Sequence, residues 1–433
     1  MTYARHDIGG AGVFDRRESK VRSYSRSFPA TFVSGRGAEL VDTTGKIYLD
    51  FLSGCSSLNY GHNHPALKQA LLDYIARDGV AHSLDMQTDA KLAFLQEFET
   101  TVLKPRGLDY ILQFTGPTGA NAVEAAIKLA RKKTGRENII AFTNGFHGVT
   151  LGALSLTGNS HHRGGAGVAL SHVTHAPFCG YYGEDADTPG QLERLLDDPS
   201  SGVDAPAAVI VETVQGEGGL NVASTEWLRK IEKIARRNGA LFIVDDIQAG
   251  VGRTGMFFSF EQAGVTPDIV TLAKSLSGYG LPMALTLIRR ELDIWKPGEH
   301  NGTFRGNCHA FVTAKTALET FWRDDAFQTD VARKSALLRS RLDAMAARRP
   351  DHVERVKGRG MMLGLDMKHG ARAGGVVKQA FTRGLIIETS GGDDEVVKCL
   401  APLTIEDAQL EKGLDILEAA IDAAIAQEKK HAA

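Results

Sequence analysis

ALFIVDDIQAGVGRTGMFFSFEQAGVTPDIVTLAKSLSGYG, residues 240–280, contains two short apolar runs that each end abruptly in charge. The first closes on Asp245 and Asp246, the second on Lys274, and each then turns through Gly and small polar residues. Runs this apolar are read as strands buried on both faces, which places them in a mainly parallel sheet covered by helices. In such sheets the carboxyl ends of the strands are where ligands bind. A lysine at the end of a buried strand is unusual, because burying an ammonium is costly unless it is paired or neutralised. It is also the residue type that attacks carbonyl carbons. A carboxylate at the neighbouring strand end can keep a bound pyridinium nitrogen protonated. Helix capping, or a salt bridge to Arg253, accounts for at least one of the two aspartates.

Working outward, the same pattern repeats. DYILQF (109–114), ENIIAFT (137–143), AAVIVETV (207–214) and ALTLIRR (284–290) are further strand candidates. TEWLRKIEKIARRNG (225–239) is an amphipathic helix with an acidic first turn, a basic last turn and a closing Gly239. Upstream, AELVDTTGKIYLDFLSG (38–54) predicts a hairpin turning at Thr43–Lys46. PALKQALLDYIARDG (65–79) predicts a helix with Leu67, Leu71, Leu72 and Ile75 on its buried face. Helices around 309–323 and 329–348, a strand in GRGMMLGLDM (358–367) and a closing helix from about Glu406 give the last third an α+β character. The domain division read from this is an arm and hairpin over 1–70, a large domain over 71–324 and a small one over 325–433.

The bulk properties exclude several classes. The 433 residues carry a formal net charge of −2, with 43% hydrophobic and 24% charged residues. No field draws nucleic acid or an anionic membrane. The N-terminus lacks the apolar core of a secretory signal, and no apolar run has membrane-spanning length. The four cysteines stand without metal spacing, which fits a reducing, cytoplasmic setting and no metal.

TGPTG (115–119) between a strand and the helix ANAVEAAIKLARKKTG can bind one phosphate on its free amides. It lacks the G-K-[ST] of an ATP loop, and a bare turn explains it equally well when taken alone. The ordered set GPTGANAVEAAIKLAR, NGFHG, ETVQGEGG, VDDIQAGVGRTG, LAKSLSGYGLPMA and NGTFRGN decides the matter, because it resembles the class III aminotransferases. These are pyridoxal 5'-phosphate enzymes of fold type I, an α/β architecture with a large, mainly parallel sheet domain and a smaller α+β domain.

The resemblance implies that Lys274 binds the cofactor covalently and moves the substrate proton, and that Asp245 pairs with the ring nitrogen. Gln248 would lie near the ring hydroxyl, and Phe146 would stack on the ring beside His147. Gly119 and Ala120 would cup the phosphate, Ala120 by backbone alone. Thr303 would reach the phosphate of a neighbouring subunit, which makes the protein at least a homodimer with shared sites. Glu217 matches a gating glutamate, partnered here by Lys398 where ornithine-type members carry Arg. Val149 also replaces their acceptor-gripping Arg.

VRSYSRSFPATF, SLNYGHNHP, NGFHGVTLGALSLTGN and ELDIWKPGEHNGTFRGN resemble the diaminobutyrate–2-oxoglutarate branch, which works in ectoine-type synthesis. That branch moves the terminal amine of L-2,4-diaminobutyrate to 2-oxoglutarate, giving L-aspartate 4-semialdehyde and L-glutamate. Cys55-Ser56-Ser57 departs from its usual small residues near the substrate entrance. Other ω-amino donors, an aminomutase and a silent fold relative are the alternatives.

Overall fold

A computed structural model describes residues 11–432 of the chain. The first ten residues of the polar arm lie outside them. The centre is a seven-stranded sheet in the order Tyr110–Phe114, Leu285–Arg289, Ile269–Leu272, Leu241–Asp245, Ala208–Val211, Ile139–Phe142, Val173–Ala176. Only Leu285–Arg289 runs antiparallel to its neighbours. Six of its seven strands are those read from their apolar runs. The edge strand Val173–Ala176, VTHA, has no apolar run to give it away.

One face of the sheet packs against a core containing Phe94, Phe98, Phe242, Phe257 and Phe311. The other face packs on Val123, Ile127 and Leu129 of the helix Gly119–Thr134. Both faces are therefore dry, which is why these strands are continuous rather than alternating in hydrophobicity.

A separate core unites the two ends of the chain. Phe28, Tyr48, Leu49 and Phe51 pack with Leu338, Leu342, Ile386 and Leu414. The hairpin 39–50, turned by Asp42 Oδ1 accepting the Thr44 and Lys46 amides, is extended by the strand Leu385–Ile386 in parallel with Ile47–Asp50. GRGMMLGLDM belongs to a hairpin, Arg355–Arg359 with Met362–Asp366, because Gly358 and Gly360 both take positive φ.

The helix Pro65–Ala76 corrects one expectation. Leu67 and Tyr74 are buried, whereas Leu72 and Ile75 remain 50% and 51% exposed. No helix among the described residues is long and apolar enough to cross a membrane.

Candidate active site

The strand register brings two carboxylates and a lysine to one sheet edge. Val211 pairs with Val244 and Asp245 with Thr271, so Glu212 and Asp245 end adjacent strands while Lys274 lies three residues beyond Thr271. All three line one cavity of about 300 Å³ with Gly119, Ala120, Phe146, His147, Glu217 and Gln248. The sheet edge thus gathers nearly every residue singled out in the sequence.

Asp245 is 3% exposed, and every contact fixes its direction. Oδ1 accepts from the Thr271 hydroxyl at 3.1 Å and the Ile247 amide at 3.2 Å, and Oδ2 lies 2.7 Å from His147 Nδ1. Burial works against charge on the His147 ring, but Asp245 outweighs it and raises that ring's basicity. Asp246 points elsewhere: its Oδ2 accepts the Ser259 amide at 3.0 Å, and burial pushes its carboxyl up to about 7. Neither aspartate pairs with Arg253, which donates to Met361 and Ala401 carbonyls, Asn59 and Ser56.

Lys274 leaves its strand in the left-handed region, φ 49°, a conformation a lysine holds only when its surroundings impose it. Strain continues in the facing segment. Ser53, Gly54, Cys55 and Ser56 all take φ between 47° and 68°. Asp50 Oδ1 accepts the Leu52 and Ser53 amides, and Ser275 Oγ donates to Ser56 O at 2.8 Å, which hold that turn against the lysine loop.

Pyridoxal phosphate fits these donors and acceptors. The helix Gly119–Thr134 starts with free first-turn amides at Gly119 and Ala120, both of which line the cavity. Gln248 Oε1 is buried without a hydrogen-bond partner, while its Nε2 donates to Glu217 Oε1 at 3.0 Å. That leaves an acceptor free for a ring hydroxyl. Room is kept by Gly216, where a Cβ would lie 1.5 Å from Gln248 Oε1.

Glu217 stands at the cavity rim, 3.0 Å from Lys398 Nζ. Burial opposes its ionisation, but the charges of Lys398 and Lys274 hold its carboxyl down at about 2. Lys398 is fully buried and sits between two carboxylates, Glu217 and Glu388, each at 3.0 Å. Burial would lower it, and the two carboxylates raise it.

Thr303 is not brought into this cavity; it is exposed, beside Phe304 at 65% exposure. Of residues 55–57, only Ser57 lines the cavity, and Cys55 Sγ lies 2.7 Å from Tyr24 Oη. Val149 is exposed and also outside it.

Sequence reading missed Glu212 and Glu388. Glu212 Oε2 accepts the Phe146 amide at 2.9 Å and Oε1 the Gly216 amide at 3.2 Å, and burial pushes its carboxyl up to about 7. Its signal was present, since AAVIV-Glu ends an apolar strand in charge just as LFIV-Asp does. Glu388 faces Lys398 directly in an antiparallel pair, a relation hidden until the hairpin is formed.

The class-III aminotransferase family model matches residues 21–421. The diaminobutyrate–2-oxoglutarate transaminase of Halalkalibacterium halodurans is 57% identical over 413 residues, 95% of this chain and 96% of that protein. The one from Halomonas elongata is 58% identical over 409 residues, covering 94% and 97%. The crystal structure of ornithine aminotransferase from Toxoplasma gondii superposes with a TM-score of 0.82 at 26% identity, covering 96% and 95%. With that cavity, that lysine and those relatives, the chain belongs to the class-III aminotransferase family.

Proposed function

We propose that this enzyme moves the terminal amine of L-2,4-diaminobutyrate to 2-oxoglutarate, giving L-aspartate 4-semialdehyde and L-glutamate. The observation that carries this reading is one cavity that joins Lys274, Asp245, Gln248 and the Gly119–Ala120 helix start, in a chain 57% identical to a diaminobutyrate–2-oxoglutarate transaminase.

Pyridoxal phosphate, when bound, supplies a protonated ring able to absorb an electron pair from a substrate carbon. Lys274 Nζ would anchor it covalently, and would then take the proton from the substrate carbon and return it. Asp245, immobilised by Thr271, Ile247 and His147, holds the proton on the ring nitrogen. Phe146, fixed through its amide by Glu212, lines the cavity and would stack on the bound ring. The Gly119 and Ala120 amides hold the phosphate.

Glu217 and Lys398 sort the two substrates: the carboxylate meets the donor's non-reacting ammonium, and the lysine, once released, meets the acceptor's distal carboxylate. Lysine supplies a point charge rather than a fork, so it tolerates both geometries.

The working assembly is a homodimer in which Thr303 of each chain reaches the phosphate of the other. Exposure of Thr303 and of the apolar Leu72, Ile75 and Phe304 supports this reading. The compartment is the cytoplasm, in keeping with four unpaired cysteines.

Borohydride treatment of the purified enzyme followed by peptide mapping tests the anchor: a reduced adduct at Lys274 is expected, and its absence there rejects the mechanism. A donor panel at fixed 2-oxoglutarate, read as glutamate formed, tests the substrate. Diaminobutyrate should exceed ornithine and 4-aminobutyrate, and preference for either of those rejects the donor assignment.

A further inference from the structure

The Glu217–Lys398 pair has a third member for which the reaction above has no use. Glu388 is 6% exposed, and its Oε1 lies 3.0 Å from Lys398 Nζ. That contact is an ion pair, and the oxygen has no other hydrogen-bond partner among the described residues. Its Oε2 accepts from the Tyr24 hydroxyl at 3.1 Å and the Cys55 thiol at 3.7 Å. Both of those donors are neutral: burial raises the Tyr24 hydroxyl far above its ordinary range and pushes the Cys55 thiol up to about 12.

The group therefore counts two carboxylates against one ammonium. Burial raises the Glu388 carboxyl and the Glu217 charge adds to this; Lys398 opposes both without reversing the direction, so the Glu388 charge is fullest toward alkaline pH. The other charged or titratable groups around the adjoining outer cavity, Arg26, His161, His162, Lys378 and Asp394, are exposed. Solvent screens them, whereas the buried excess is screened far less. Glu217 lines both this outer cavity and the inner one that holds Lys274, so the excess charge lies where the far end of a substrate arrives.

We propose that Glu388 is a specificity-determining residue: its charge leaves the Lys398 end of the pocket net negative and favours donors that carry a second, non-reacting ammonium. The proposal rests on Glu217 and Lys398 facing the substrate. A pocket with only the Glu217–Lys398 pair would carry no net charge, so Glu217 would hold that ammonium against the full opposing charge of Lys398. With Glu388 present, 2,4-diaminobutyrate is favoured over 4-aminobutyrate, which is the same skeleton without the α-amine.

The test is the ratio of kcat/KM for diaminobutyrate to that for 4-aminobutyrate at about pH 8, in the holoenzyme and in two neutral variants, Glu388→Gln and Glu388→Ala. The ratio should fall about tenfold in both, equivalent to about 1.4 kcal/mol, with the loss carried by KM for diaminobutyrate. The half-reaction with 2-oxoglutarate should hold or improve, since a carboxylate gains from the lost repulsion. Tyr24→Phe removes a hydrogen bond but keeps the charge, and its ratio should match wild type. An unchanged ratio in both neutral variants overturns the proposal, as does a Tyr24→Phe shift equal to theirs. Lys398→Ala separates the two levels. If it leaves both half-reactions intact, the Glu217–Lys398 reading fails; if it impairs the acceptor half while the Glu388 ratios stay unchanged, Glu388 alone is misassigned.

Discussion

Replacing Lys398 by Met removes the single cation between two carboxylates while keeping most of the side-chain volume. Lys398 is fully buried, 3.0 Å from both Glu217 and Glu388. Losing one partner of such a cluster strands buried charge, which costs about 3–5 kcal/mol. The Glu217 carboxyl, held down at about 2 against its burial by Lys398 first and by Lys274 and Gln248 besides, points the same way.

The sign with pH follows from the two partners. The depressed Glu217 carboxyl stabilises the fold above its ordinary value, and this is lost as pH falls through about 2. The raised Lys398 stabilises below its ordinary value, and this is lost only as pH climbs through the higher folded value. In Lys398→Met both carboxyls rise, so the deficit grows with pH above about 4.5 and is smaller at about pH 5 than at about pH 8.

A chain of 433 residues loses roughly 0.9 kcal/mol per degree near its midpoint, so Tm should drop by about 3–6 °C at the higher pH. Lys398→Met combined with Glu388→Gln should recover part of that loss, because one stranded charge is gone. Calorimetric melts of the three proteins at both pH values check this. A drop below about 1 °C, the same drop at both pH values, or no recovery in the double variant refutes the reasoning.

Three further outcomes follow from the site. Asp245→Asn should lower kcat by about a thousandfold or more, roughly 4 kcal/mol, with the loss read in both half-reactions. Gly216→Ala places a methyl 1.5 Å from Gln248 Oε1 and 2.9 Å from Met362 Cε. It should cost about 1–3 kcal/mol in stability, seen as an earlier melt. Glu212, raised to about 7, lowers stability as pH rises from its ordinary value to 7, because the folded form binds the proton more tightly. Glu212→Gln should flatten that part of the stability profile, and an unaltered slope would show that the carboxyl is not perturbed.

Much of this molecule follows from local sequence. Apolar runs ending in Asp245 and Lys274 predict buried parallel strands whose carboxyl ends carry the chemistry, because a two-sided sheet demands continuous hydrophobicity and forces charge to its edge. The hairpin 39–50, the helix start at Gly119 and the helix Thr225–Arg237 follow from turn and cap residues in the same direct way. Other features exist only once distant segments meet. VTHA becomes a strand because Ile139–Phe142 offers it a ladder. The left-handed turn at 53–56 persists because Asp50 and Ser275 hold it. Leu72 and Ile75 stay exposed because the chain's own core takes Leu67 and Tyr74 instead. The Glu217–Lys398–Glu388 cluster, with Tyr24 and Cys55 against it, draws on four parts of the chain, and nothing within one segment specifies it. Hydrophobic periodicity and capping act over a few residues, so a sequence displays them; the balance of buried charge is summed over everything folded around it, so tertiary structure alone decides it.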